Sequence, residues 1–110
     1  SETSHFWRIN EDKSALRPFA EQLVGRVLAN LMDIDRVISE ASKRWTIKRM
    51  DSVSRCLLRL GACEILHFSD TPPEVAINEA VELAKRFGSE DTPSFINGIL
   101  DRLHQKETHV

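Results

Sequence analysis

Residues 53 to 68 carry Val53, Cys56, Leu57, Leu58, Leu60, Ala62, Cys63, Ile65 and Leu66. Wound at 3.6 residues per turn, these side chains cover nearly every side of a helix. A helix with no polar face belongs in the middle of a bundle. Asp51 is placed to cap its start, and Ser69-Asp70-Thr71-Pro72-Pro73 ends it. With 110 residues the chain has length for one domain and one core. Strand-like alternation is nowhere sustained and the periodicity is helical throughout. The expected fold is an all-α bundle of about five helices around this central one.

The other helices follow from apolar spacing. Residues 1 to 16 read as an irregular segment with Phe6, Trp7 and Ile9, and the helical domain as residues 17 to 105. A first helix from Arg17 to Leu31, with Pro18 in its first turn, carries the stripe Ala20, Leu23, Val24, Val27, Leu28 and Leu31. A second, capped by Asp33, runs to about Trp45 with Ile34, Val37, Ile38, Ala41 and Trp45 inward. The fourth covers about Glu74 to Phe87, with Ala76, Ile77, Ala80, Leu83, Ala84 and Phe87 inward and Gly88 as the C′ residue just past its end. Pro93 opens a fifth, to about Gln105, carrying Ile96, Ile99, Leu100 and Leu103. Residues 106 to 110 read as a frayed tail. Gly98 inside that helix costs ~1 kcal/mol relative to alanine, so a close helix approach is expected there.

Charge and cysteine usage narrow the function. The net charge of -2 rules out a polycation that grips nucleic acid by bulk charge. No apolar run approaches the ~20 residues needed to span a bilayer, and no signal peptide is visible. Cys56 and Cys63, seven apart on one helix, sit ~10 Å apart, too far for a disulfide. A reducing, cytoplasmic setting is the simpler reading. The two cysteines read as small core residues, since zinc ligation needs two further partners at suitable spacing. No phosphate-cradling glycine loop or nucleophile motif is present. No catalytic residue, metal or cofactor is therefore assigned, and an enzyme is not expected.

Three signals stand above this background. Lys43, Arg44, Lys48, Arg49, Arg55 and Arg59 stand against a single acid, Asp51, giving residues 43 to 59 a local charge of +5. That is a candidate phosphate track. The bland alternative places Lys43 and Arg44 at a helix C-terminus and pairs Arg59 with a carboxylate, such as one from the fourth helix. The second signal is Asp91-Thr92-Pro93-Ser94-Phe95-Ile96-Asn97-Gly98. An aromatic beside Asn97 at a helix start can stack on and read a base, although a core-edge position for Phe95 also fits the pattern. The third is the polar face of the fourth helix, Asn78, Glu79, Glu82, Lys85 and Arg86, which is either solvated or a partner surface.

The stretch Leu57-Leu58-Arg59-Leu60-Gly61-Ala62-Cys63-Glu64-Ile65-Leu66 resembles the central helix of the NusB family. The run Pro72-Pro73-Glu74-Val75-Ala76-Ile77-Asn78-Glu79-Ala80-Val81-Glu82-Leu83-Ala84-Lys85-Arg86-Phe87-Gly88 is similar to that family almost letter for letter, and Phe95-Ile96-Asn97-Gly98-Ile99-Leu100-Asp101 completes the likeness. It covers about residues 17 to 105. The resemblance implies two packed, three-helix-bundle-like halves and a transcription antitermination factor. Such a factor pairs with ribosomal protein NusE and binds the boxA RNA of nascent transcripts, notably of ribosomal RNA operons. It touches the RNA polymerase elongation complex only indirectly.

Under this reading Lys48, Arg49, Arg55, Asp91, Phe95 and Asn97 are the RNA-binding candidates, with Arg55, Asp91, Phe95 and Asn97 expected on one partly exposed surface. Glu79, Glu82 and Arg86 are the partner-binding candidates. Two alternatives keep the fold: the accessory RNA-binding domain of a ribosomal RNA cytosine methyltransferase, against which the short tail after the last helix argues, and a protein-interaction bundle without an RNA role. The chain departs from the family in lacking its first two helices, including an arginine-rich segment. The stripe on the first helix is then expected to lie partly bare, and either to pair with a second copy in a homodimer or to be covered by Phe6, Trp7 and Ile9.

Overall fold

The computed structural model describes residues 13 to 43 and 45 to 108, with side chains from 20 to 107 except residue 44. Five α-helices follow in order: α1 Lys13–Ala29, α2 Leu31–Ser42, α3 Ser52–His67, α4 Pro73–Phe87 and α5 Thr92–Thr108. A short 3-10 turn, Ile47–Arg49, links α2 to α3. The all-α expectation holds, and α3 touches each of the other four helices. Its Leu58, Ala62 and Cys63 are fully buried with Ile34 and Ile38 of α2 and Ile96, Leu100 and Leu103 of α5. The close helix approach lies at Gly61 rather than Gly98. A Cβ on Gly61 would come 2.7 Å from Leu100 Cδ1, whereas one on Gly98 would meet nothing nearer than Arg102 Nη1 at 3.7 Å.

Local chemistry sets the helix ends. The Asp51 carboxylate accepts the Ser54 backbone N–H at 3.1 Å and its hydroxyl at 2.7 Å, capping α3 as expected. These bonds, the hydroxyl first, hold the Asp51 carboxyl below its ordinary range. At the other end of α3, Arg26 of α1 donates to the His67 carbonyl at 3.3 Å and lies over the Phe68 ring at 5.5 Å. Arg102 of α5 donates to the Ala41 carbonyl at 2.8 Å, closing the end of α2. Cations are well placed at these carbonyl-rich termini.

Several boundaries and faces differ from the sequence reading. α1 starts at Lys13, so Pro18 is inside it and the first residues of the expected irregular segment's end are helical; Lys13, Ala15 and Leu16 are strong helix formers. α2 starts one residue after Asn30, leaving Asp33 in its first turn, 2.6 Å from Arg36, instead of at the cap. α2 stops at Ser42, and Lys43 takes a left-handed conformation with φ 57°. The turn breaks the helical phase, so Trp45 points outward. α5 continues through Thr108, past the expected end. Gly88 follows the last residue of α4 and is extended. It is required for space, because a Cβ there would meet Thr92 Cβ at 2.5 Å.

Phe87 is in phase with the stripe but is the last residue of α4 and stands 62% exposed. Cys63 is buried as expected; Cys56 is exposed, on the one side of α3 that its neighbours leave open. On α1 only Leu23 and Val27 are buried, while Ala20, Val24 and Leu28 are exposed, so the stripe is partly bare as expected. Phe6, Trp7, Ile9 and Arg44 lie outside the described side chains.

Candidate nucleic-acid interface

The turn between α2 and α3 is built to be rigid. Ser42 donates its hydroxyl to the Trp45 carbonyl at 2.6 Å, fixing the chain as it leaves α2. Arg55 of α3 reaches back with Nη1 to the Ile47 carbonyl at 3.2 Å and the Met50 carbonyl at 3.4 Å. Met50 is buried and anchors the turn to the core. Lys48 and Arg49 are thereby held exposed on a braced loop. The start of α5 is fixed as firmly: Thr92 is buried, and its hydroxyl oxygen accepts the Ser89 N–H at 2.9 Å.

Between these two fixed segments lies an open groove of about 200 Å³, with Trp45 and Phe95 on its walls and Arg49, Asp51 and Asp91 at its margins. The two rings meet edge to face, with centroids 6.3 Å apart and planes at 88°. Trp45 is half exposed and Phe95 partly so. Aromatic faces open to solvent beside a cation suit base stacking with phosphate contact alongside.

Of the RNA-binding candidates, the groove brings together Arg49, Asp91 and Phe95. Arg55 braces the loop from a half-buried position behind it. Asn97 and Lys48 are exposed but do not line the groove. On a helix Asn97 is two residues, and so some 200°, round from Phe95, which separates the expected quartet. Arg59 leaves the basic track. Its Nε and Nη2 each donate to Asp35 of α2 at 2.9 Å, a two-pronged pair from α2 rather than from the fourth helix. The local excess of positive charge is correspondingly smaller than the sequence count.

Sequence reasoning assigned Trp45 to the core and so missed it here; the signal was an aromatic at the edge of the basic cluster, just ahead of a turn. It also took Glu79 as part of an exposed face. Glu79 is only 3% exposed and sits against Glu64 of α3. Helical phase places it there, three residues after Ala76 and four before Leu83. Of the partner-binding candidates, Glu82 and Arg86 are exposed. Glu82 accepts from Lys85 at 3.1 Å, and Arg86 lies over the exposed Phe87 ring at 5.6 Å.

The sequence matches the NusB family over residues 2 to 105. The chain belongs to the NusB family. It is 51% identical over 90 residues to the transcription antitermination protein NusB of Geobacter sulfurreducens, covering 82% of this chain and 65% of that protein. To NusB of Geotalea daltonii it is 53% identical over 85 residues, covering 77% and 59%. To NusB of Thermodesulfovibrio yellowstonii it is 39% identical over 108 residues, covering 96% and 72%. The chain thus spans about 60% of the length of the first two NusB proteins. The solved structure of T. maritima NusB superposes with a TM-score of 0.79 at 41% identity, covering 86% of this chain and 66% of that one. The NusB fold is therefore shared by sequence and by structure. Among the described residues, no helix is long and apolar enough to cross a membrane.

Proposed function

We propose that this NusB-family chain serves as a transcription antitermination factor in the cytoplasm, pairing with ribosomal protein NusE and binding boxA RNA of nascent transcripts without catalysing a reaction. The observation that carries the RNA reading is the groove itself. Trp45 and Phe95 offer two perpendicular rings beside exposed Arg49, and Lys48 extends the cationic margin. Phe95 stacks on a base, Trp45 supports it edge-on, and Arg49 and Lys48 meet phosphates. Asn97 bonds an RNA group farther along α5. Asp91 disfavours phosphate at one margin and so confines the path of the strand. The braced turn makes the cations pre-positioned, which lowers the ordering cost of binding.

The NusE contact falls on the exposed face of α4, at Glu82 and Arg86 with Phe87. An aromatic 62% exposed under a guanidinium is a poor use of surface unless something covers it. Glu79 acts from below this face as a buried group.

Binding of a boxA-containing RNA, measured with and without NusE across a salt titration, tests both parts. The expected result is RNA binding that weakens with salt and tightens when NusE is added. A chain that binds NusE but no RNA, with or without the partner, would instead favour a protein-interaction bundle.

A further inference from the structure

Another recess opens along α5, beyond the aromatic groove and toward the end of the helix. It is an open furrow of about 620 Å³, lined by Ala41 and Lys43 at the end of α2 and by Arg102, Gln105 and Lys106 of α5. Three of these five side chains are cationic and none is acidic. Arg102 donates its Nε to the Ala41 carbonyl at 2.8 Å, which fixes the guanidinium and leaves its Nη donors without a partner among the described residues. Lys43 and Lys106 are exposed and join no ion pair among the described residues, whereas Arg36, Arg59 and Lys85 each sit on a carboxylate. Lys43 also holds φ at 57°, a conformation that glycine or asparagine takes at lower cost.

The furrow and the groove lie along one line of α5. Arg102 and Lys106 follow Phe95 by seven and eleven residues, which puts them within about 20° of its direction and ~10 Å and ~16 Å farther along the axis. Gly98 sits beside this line, between Phe95 and Arg102, and its Cβ position is open except for Arg102 Nη1 at 3.7 Å. Helix packing does not explain a glycine there, since the close approach lies at Gly61. A bare backbone at 98 does leave room for a chain passing from Phe95 to Arg102. We propose that the furrow is a second RNA subsite that takes a backbone phosphate on Lys43, Arg102 and Lys106, so that the strand runs along α5 from the aromatic groove toward the end of the helix. Phosphate contacts fix register and direction and carry no base choice. The inference rests on the RNA reading of the groove.

The test measures binding of a boxA-containing RNA across a salt titration, with and without NusE. It compares the wild-type chain, Lys43→Gln combined with Lys106→Gln, Phe95→Ala, and Arg36→Gln as an exposed cation on another face of α2. The double substitution should weaken RNA binding at low salt. It should lower the slope of log affinity against log salt by at least ~0.7, the share of one phosphate on a single strand, whatever the base sequence of the RNA. Arg36→Gln should leave the slope unchanged. Trimming the RNA one nucleotide at a time should abolish the effect of the double substitution from one end only, while Phe95→Ala still weakens binding. An unchanged slope, an equal fall for Arg36→Gln, or an effect that persists down to the shortest RNA bound would overturn the subsite and leave the groove reading standing. So would weakened NusE binding with unchanged RNA affinity of the chain alone, which would make the furrow a protein contact. A wild-type chain that binds no RNA would overturn the groove reading and the subsite with it.

Discussion

The start and the last turn of α3 handle carboxyl groups in opposite ways. At the start, Asp51 takes two bonds from Ser54 and its carboxyl is held below its ordinary range. Three turns on, Glu64 is buried against a second carboxyl and pushed up to about 8. Both are carboxylic acids of α3, and the difference lies in what surrounds each: Ser54 hydrogen bonds at Asp51, burial and a second carboxyl at Glu64. Asp51 is satisfied within three residues of itself, so its role is complete in this chain. Glu64 instead lies deeply buried beside Glu79 of α4. A local device stabilises the helix, whereas a carboxyl buried against another carboxyl costs stability once it ionises.

The largest effect should come from removing the strained end of that contrast. The Glu64 carboxyl is raised from an ordinary value near 4.5 to about 8, so the folded chain holds a proton that the unfolded chain gives up. Stability is therefore greatest below about pH 4.5 as far as this group is concerned, and declines as pH rises through about 8. Glu64→Gln should flatten that decline and raise stability at pH 8 by a few kcal/mol, at ~1.4 kcal/mol per pKa unit. Urea unfolding of both proteins at pH 5 and pH 8 measures it. An equal loss of stability in both proteins over that range would break the comparison.

Next comes the packing at the middle of α3. Gly61→Ala drives a methyl to 2.7 Å from Leu100 Cδ1 in the core, and should cost ~1–3 kcal/mol as Leu100 shifts. Gly98→Ala, with open space around its Cβ position, should instead raise the melting temperature through helix propensity, by ~1 kcal/mol. Opposite signs at two helical glycines are the check.

Asp51→Ala should cost ~1 kcal/mol through loss of the cap, and thermal melts should show it fading at low pH. The sign follows from the lowered carboxyl: its stabilisation is present above the ordinary aspartate range and is lost as pH falls through the folded value. The smallest effect is expected at Asp91. Replacing it with asparagine removes one exposed negative charge from the groove margin. RNA binding should tighten by less than ~1 kcal/mol at moderate salt, the scale of a screened surface charge. Weaker binding would assign Asp91 a bonding role.

How much of this was legible in the sequence follows the same division. The central helix, its Asp51 cap and the inward faces of α2 and α5 are local patterns, and they read correctly. Trp45 did not, because one left-handed residue at Lys43 turns the chain out of the phase set by Val37, Ile38 and Ala41. Phe87 obeys the helical phase but stands where α4 ends, and phase carries no information about how far neighbouring helices extend. Arg59 was read either as a free cation or as paired with a carboxylate, such as one from the fourth helix; only tertiary packing shows that the partner is Asp35 of α2, at 2.9 Å. Glu79 was legible by spacing, yet the usual expectation of a charged residue outside overrode the phase that put it inside. Of the site, the sequence showed Arg49, Asp91 and Phe95 as candidates, while the ring that faces Phe95 needed the fold.

The central claim is that the groove between the braced turn and the start of α5 holds RNA through its rings. The direct measurement is the affinity of Phe95→Ala for a boxA-containing RNA beside its thermal stability, with Trp45→Ala in parallel. The account predicts a loss of ~1–3 kcal/mol in RNA binding for Phe95→Ala, the value of one stacked base, with folding and NusE binding retained. Unchanged RNA affinity together with a lowered melting temperature would mean that Phe95 only closes the edge of the core, and would contradict it.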